Sequence, residues 1–168
     1  MRKINAKAIT EVVKKLCIEA NCHLPQDMKT CISECCEQEK WPQAKEILDL
    51  IVENYTIADT KNQPICQDTG VACVFLKVGQ DVHIVGDLTE AVNEGVRRGY
   101  REGYLRKSVV RDPLDRVNTG DNTPAMLYTE LVPGDKIEIT VAPKGFGSEN
   151  MSRIKMFTPS ATKEDIVD

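Results

Sequence analysis

The sequence predicts an α+β fold, an N-terminal helical region packed on a mixed or mostly antiparallel β-sheet region, on three observations. Apolar residues recur at three-and-four spacing in three successive windows of the first third of the chain. From Cys66 onward the period changes to short runs rich in β-branched and aromatic residues. The helices come first and the strands follow, which argues against alternating βαβ units. At 168 residues, 41% hydrophobic and 29% charged, the chain is long enough to bury a core and is expected to form a single domain. Its helical part covers about 1–57 and its β-rich part about 64–160.

Ile9, Val12, Val13, Leu16, Cys17 and Ala20 form the first apolar stripe. Met28, Cys31, Ile32, Cys35 and Cys36 form the second. Ala44, Ile47, Leu48, Ile51, Val52 and Tyr55 form the third, with Pro42 suited to a first helical turn. Val71 to Val78 reads as a strand, and Gly79-Gln80 as a two-residue turn leading back into a second strand at 81–85. Asp87 and Glu90 are a capping pair for a helix that carries Gly95, Gly99 and Gly103 at four-residue steps. Three interior glycines cost about 3 kcal/mol of helix propensity relative to alanine. Something must therefore press close to that face, and close helix-to-sheet packing is expected ahead of a bound group. Residues 126–131, 136–142 and 152–157 read as further strands, punctuated by Pro133-Gly134-Asp135 and by the glycines at 145 and 147. Thr162 followed by acids is a helix start, belonging either to a frayed tail or to a longer polypeptide that continues.

Composition excludes several classes. No run approaches the roughly eighteen uncharged apolar residues of a membrane span, and the start MRKINAKAITEVV lacks the apolar core of an export signal. The expectation is a cytoplasmic protein with no membrane partner. Lys plus Arg at 22 against Asp plus Glu at 26 does not suit a protein that coats nucleic acid. Seven cysteines is an odd count for a disulfide framework, so reduced thiols or metal ligands remain. Cys31, Cys35 and Cys36 lack the paired CxxC spacing of a zinc site and lie on a helical apolar stripe, so they are expected in the core. Cys73, inside an apolar strand, is expected there too, and His23 and His83 have no evident partner.

Two places suit a small anion. Pro64-Ile65-Cys66-Gln67-Asp68-Thr69-Gly70 puts a thiol, an amide, a carboxylate and a hydroxyl in sequence between a stiff entry and a free exit. An ordinary turn with a half-buried cysteine is the plain alternative. Arg97, Arg98, Arg101, Arg106, Lys107 and Arg111 against Glu102 give a local basic excess. This is a solvated helix face, an arginine fork for a carboxylate, or a nucleic-acid contact; with 5% aromatic residues to stack bases, the small anion is preferred. The glycine loop at 143–150 has neither the ending of a phosphate loop nor a dinucleotide fingerprint. Residues 118–124 alone read as a polar turn.

In order, PICQDTG at 64–70, LRKS at 105–108, NTGDNTPA at 118–125 and KGFGSENMS at 144–152 resemble the iron-sulfur (class I) fumarate hydratase and L-tartrate dehydratase family. The likeness is to the N-terminal part of the alpha subunit and covers essentially the whole chain, weakly before Gln63. The resemblance implies a truncated piece of a longer alpha subunit. It also implies an oxygen-sensitive four-iron four-sulfur cluster on three cysteine thiolates, with one iron open to substrate. Cys66 matches the first ligand; none of the six other cysteines stands in a matching motif, and the remaining two ligands lie beyond this chain in the family. By the same resemblance Gln67 and Asp68 face the substrate, with Asp68 a proton-transfer group, Arg106 clamps a substrate carboxylate, and Gly147 offers a backbone contact. Phe146 departs from the all-glycine form of that loop.

The implied reaction is reversible hydration of fumarate to malate, with L-tartrate as the alternative substrate. The implied partners are a small dicarboxylate, a C-terminal domain or beta subunit of the same enzyme, and further copies in a homo-oligomer. The chain alone is expected to be inactive, and a non-catalytic subunit-interaction module is the reading from a different class.

Overall fold

The computed structural model describes residues 1–147 and 151–167. The architecture is α+β, with two small sheets and five helices among the described residues. The order is β1 (Arg2–Asn5), α1 (Ala6–Cys22), α2 (Gln26–Gln38), α3 (Pro42–Lys61), β2 (Val71–Gly79), β3 (Val82–Val85), α4 (Leu88–Glu102), β4 (Met126–Val132), β5 (Ile137–Lys144) and α5 (Lys163–Val167). None of these helices is long and apolar enough to cross a membrane.

The core lies between two helices and the central strand. Ala72, Val74, Leu76 and Val78 alternate along β2 toward Ile9, Val13 and Cys17 of α1 and Val92, Val96 and Tyr100 of α4. The opposite face of β2 is open, and there Phe75 stacks on Tyr128 of β4 with ring centroids 5.0 Å apart. Burial pushes the Cys17 thiol up to about 12, so this cysteine is an inert core residue.

The glycine face of α4 packs on a helix and not on the sheet as expected. A Cβ at Gly95 would lie 2.7 Å from the Val13 Cβ, one at Gly99 2.8 Å from the Cys17 Cβ, and one at Gly103 2.8 Å from the Ile18 Cγ1. The contacts advance together along both chains, so α1 and α4 run parallel, one following β1 and the other β3. Asp87 caps α4 by accepting the Glu90 N–H at 2.9 Å. Replacing Gly99 with valine should overpack this seam and cost about 1–3 kcal/mol, measured as a lower urea midpoint at unchanged m-value.

Two further expectations, a β2–β3 hairpin and a strand at 152–157, are corrected. β2 and β3 form no hairpin. Both edges of β2 are already taken, by β4 in parallel (Cys73↔Met126 to Gly79↔Val132) and by β5 antiparallel (Val71↔Lys144 to Val78↔Ile137). β3 therefore pairs with β1 in parallel, from Arg2↔Val82 to Asn5↔Val85. The β4–β5 connection crosses the end of β2, where a Cβ on Gly79 would sit 2.3 Å from the Gly134 carbonyl oxygen. The three-stranded sheet is thus mixed, one of the two arrangements expected, and the two-stranded sheet is parallel. Residues 152–157 form no strand.

The second and third apolar stripes are also largely uncovered. α2 and α3 pack chiefly on each other, burying Cys36, Tyr55 and Ala58 while Met28, Ile47 and Ile51 stay exposed. Cys31 and Cys35 are exposed and Cys73 is half-buried against the Met126 sulfur, so the core assignment holds for Cys36 alone among the four cysteines at 31, 35, 36 and 73. His23 is not isolated either: its Nδ1 lies 2.7 Å from Asp59 Oδ1, and Lys29 pairs with the same carboxylate. The start of α5 follows expectation, since Asp165 Oδ2 accepts the Thr162 N–H at 2.7 Å and the Thr162 hydroxyl accepts the Asp165 N–H.

Candidate functional site

The segment from Ile65 to Gly70 is pinned at both ends, so its middle is held out as a rigid loop. At the entry, the Ile65 N–H donates to the Asn21 carbonyl at 2.9 Å and Asn54 Nδ2 donates to the Ile65 carbonyl at 2.9 Å. At the exit, Gly70 has φ +58° and its missing Cβ would lie 2.0 Å from the Lys144 oxygen, so only glycine fits. Between them Cys66 and Gln67 are exposed. The Cys66 sulfur accepts the Asp68 N–H at 3.4 Å and lies 3.7 Å from Gln67 Oε1. Asp68 is half-buried, its Oδ2 accepting the Phe146 N–H at 3.0 Å, which docks the glycine loop on the cysteine loop.

Arg106 reaches the same place through the end of α4. Tyr104 takes a left-handed conformation (φ 53°), the Leu105 N–H returns to the Tyr100 carbonyl at 3.0 Å, and Leu105 is buried, which turns Arg106 outward. The Thr69 hydroxyl donates to the Arg106 carbonyl at 2.8 Å, and the Tyr100 hydroxyl donates to the Thr69 carbonyl at 2.8 Å. Cys66, Gln67, Thr69, Tyr104 and Arg106 thus line one cleft of about 550 Å³. Among the described residues no acid pairs with the Arg106 guanidinium. The neighbouring arginines are engaged: Arg97 with Asp121, Glu94 and Glu90, and Arg98 with Glu11 and Glu102.

Sequence reasoning named the Thr69 hydroxyl but missed Tyr100 and Asn122. Asn122 is fully buried, accepts the N–H groups of Ser108 and Val109 at 2.7 and 3.2 Å, and donates to the Gly70 carbonyl at 3.0 Å. The signal available was the density of Asn, Asp and Thr in NTGDNTP, which is more than a surface turn needs. Partial burial pushes the adjacent Asp121 carboxyl up, but hydrogen bonds from the Thr123 amide and hydroxyl and from the Arg97 guanidinium outweigh it and hold it at about 2. A folded value below the unfolded 3.8 gives stability that is complete above about pH 4 and lost as pH falls toward 2. Asp121→Asn should flatten this acid limb, read as the denaturant midpoint across pH 2 to 5.

Gly147 does not line the cleft. It is exposed, with no atom of the other described residues within 4 Å of where a Cβ would stand, and Phe146 beside it lines a separate, larger and mainly apolar cleft of about 920 Å³. Residues 148–150 of the glycine motif lie outside the described residues. Among the described residues no three His, Cys, Asp or Glu side chains gather to hold a metal ion. Cys66 brings one exposed thiol, which fits one ligand position and not a complete set.

The chain was also compared with known proteins by sequence. The family model described as fumarate hydratase (Fumerase) matches residues 10–168. A Methanocaldococcus jannaschii protein named "Putative L(+)-tartrate dehydratase subunit alpha" is 39% identical over 165 residues, covering 94% of this chain and 58% of that protein. The L(+)-tartrate dehydratase subunit alpha of Escherichia coli K12 is 29% identical over 163 residues, covering 95% of this chain and 54% of that protein. The chain thus spans a little over half the length of the curated relatives it matches. On the extent of that match, the chain belongs to the iron-sulfur fumarate hydratase family and corresponds to the N-terminal part of such a protein.

Proposed function

We propose that this chain supplies the substrate-facing N-terminal part of a hydro-lyase that reversibly adds water across the double bond of fumarate. The observation that carries the reading is that Cys66, Gln67 and Arg106, forty residues apart at the extremes, line one cleft. Arg106 is suited to hold a substrate carboxylate by a charge-assisted fork, because no acid competes for it among the described residues. The Gln67 amide can donate to a second carboxylate or to the substrate hydroxyl. Asp68, oriented by the Phe146 N–H on Oδ2, holds or delivers the proton. Gly147 is assigned a backbone contact from the glycine loop.

Cys66 is proposed as one of three thiolate ligands of a four-iron four-sulfur cluster, the other two coming from polypeptide that this chain does not contain. Such a cluster, when bound, supplies an iron that acts as a Lewis acid toward the leaving hydroxyl. The partner is accordingly a C-terminal domain or a beta subunit, the complete enzyme a homo-oligomer of such units, and this chain alone inactive. All seven cysteines are free, and we place the enzyme in a reducing compartment, the cytoplasm.

A second reading, dehydration of L-tartrate, is favoured by the names of the relatives. Oxygen-free assays of the complete enzyme on both substrates test the two together. Turnover of either supports the hydro-lyase reading and names the substrate. Turnover of neither, with the chain still binding its partner subunit, leaves the non-catalytic interaction module in its place.

A further inference from the structure

The turn at 118–123 does not line the cleft of Cys66 and Gln67, yet it hydrogen-bonds to the segments that form both of its walls. Asn122 Oδ1 accepts the N–H groups of Ser108 and Val109, two and three residues after Arg106. Its Nδ2 donates to the carbonyl of Gly70, which closes the Cys66 loop. A carboxamide offers an acceptor and a donor on two separate atoms of one short side chain, and asparagine is among the few residues that readily take the left-handed backbone found here, φ 63°. The rest of the turn grips the same segment: Asn118 Nδ2 donates to the Lys107 carbonyl at 2.9 Å and the Thr119 N–H to the Val109 carbonyl at 3.0 Å. Asp121, bound to Arg97, fastens the turn to α4.

We propose that Asn122 is a positioning residue that sets the separation between the Arg106 guanidinium and the Cys66–Asp68 loop. This rests on reading the cleft as the dicarboxylate site. Removing the carboxamide leaves two amides and one carbonyl of the interior without their partner. The segment carrying Arg106 then keeps the Thr69 hydroxyl bond to the Cys66 loop but loses the second tie between the walls, through Gly70. A ligand held from both walls feels that loosening first as weaker binding.

The test compares Asn122→Ala, Asn122→Asp, Arg106→Ala and the double variant Asn122→Ala with Arg106→Ala in the complete enzyme. Asn122→Ala is expected to raise KM for the dicarboxylate about tenfold, with a smaller change in kcat. Asn122→Asp keeps the acceptor for Ser108 and Val109 but not the donor to Gly70, and is expected to recover part of that loss. In the Arg106→Ala background, Asn122→Ala is expected to add no more than about twofold, since it acts through that arginine. Amide hydrogen exchange at Ser108 and Val109 is expected to speed up in Asn122→Ala. Unchanged KM and exchange, or a lower melting temperature with KM unmoved, would overturn the proposal. A wild-type enzyme that turns over no dicarboxylate defeats the functional reading instead; exchange at Ser108 and Val109, with the alkylation rate of the Cys66 thiol, still decides whether Asn122 holds the two walls.

Discussion

Cys66→Ser in the complete enzyme is expected to lose at least about 10³-fold in turnover and to lower its iron content, without loss of fold. The size follows from the role: a Lewis-acid metal contributes several kcal/mol of transition-state stabilisation, and each 1.36 kcal/mol is a factor of ten. The fold should survive because Cys66 is exposed, with the Asp68 N–H and the Gln67 side chain as its partners among the described residues. Cys31→Ser and Cys35→Ser provide the contrast. Both thiols are exposed on α2, so a general sensitivity to thiol loss would appear there as well. Wild-type turnover and iron content in Cys66→Ser would remove the cluster assignment.

The second large effect belongs to Arg106. A charge-assisted hydrogen bond contributes about 1.5–3 kcal/mol, so Arg106→Ala should lower kcat/KM by about 10- to 100-fold, most of it in KM. Arg106→Lys restores the charge without the fork and should recover only part. Arg101→Ala is the control, because Arg101 is exposed, belongs to the same basic stretch and lies only 3.8 Å from Glu102. Equal losses in the two alanine variants, both fading with added salt, would mean a diffuse positive field and no carboxylate site at Arg106.

Much of this arrangement was legible in the residues, and the part that was not has a common cause. Local signals were reliable: Pro42 opens α3, Asp87 caps α4, and Thr162 with Asp165 caps α5. Pairing across the chain was not. The turn after Val78 looks like a hairpin, but which strand occupies an edge of β2 depends on β4 and β5, more than forty residues later. Exposure of Cys31 and Cys35 was equally hidden, since an apolar stripe states that a helix has a face to cover and not what covers it.

The site divides in the same way. PICQDTG and Arg106 were visible as chemistry, because a thiol, an amide and a guanidinium carry their meaning in their side chains. Asn122 and Tyr100 were not, because what they do is hold backbone groups of distant segments, and only the folded chain shows which ones. Gly147 shows the converse: the motif named it, yet within this chain it stands apart from the cleft lining.

The most direct measurement of the central claim is an oxygen-free crystal structure of the complete enzyme with a four-carbon dicarboxylate bound. One carboxylate within hydrogen-bond distance of the Arg106 guanidinium, and the ligand between it and the Cys66–Gln67 loop, is the expected result. A dicarboxylate bound elsewhere, with Arg106 facing solvent, would contradict it.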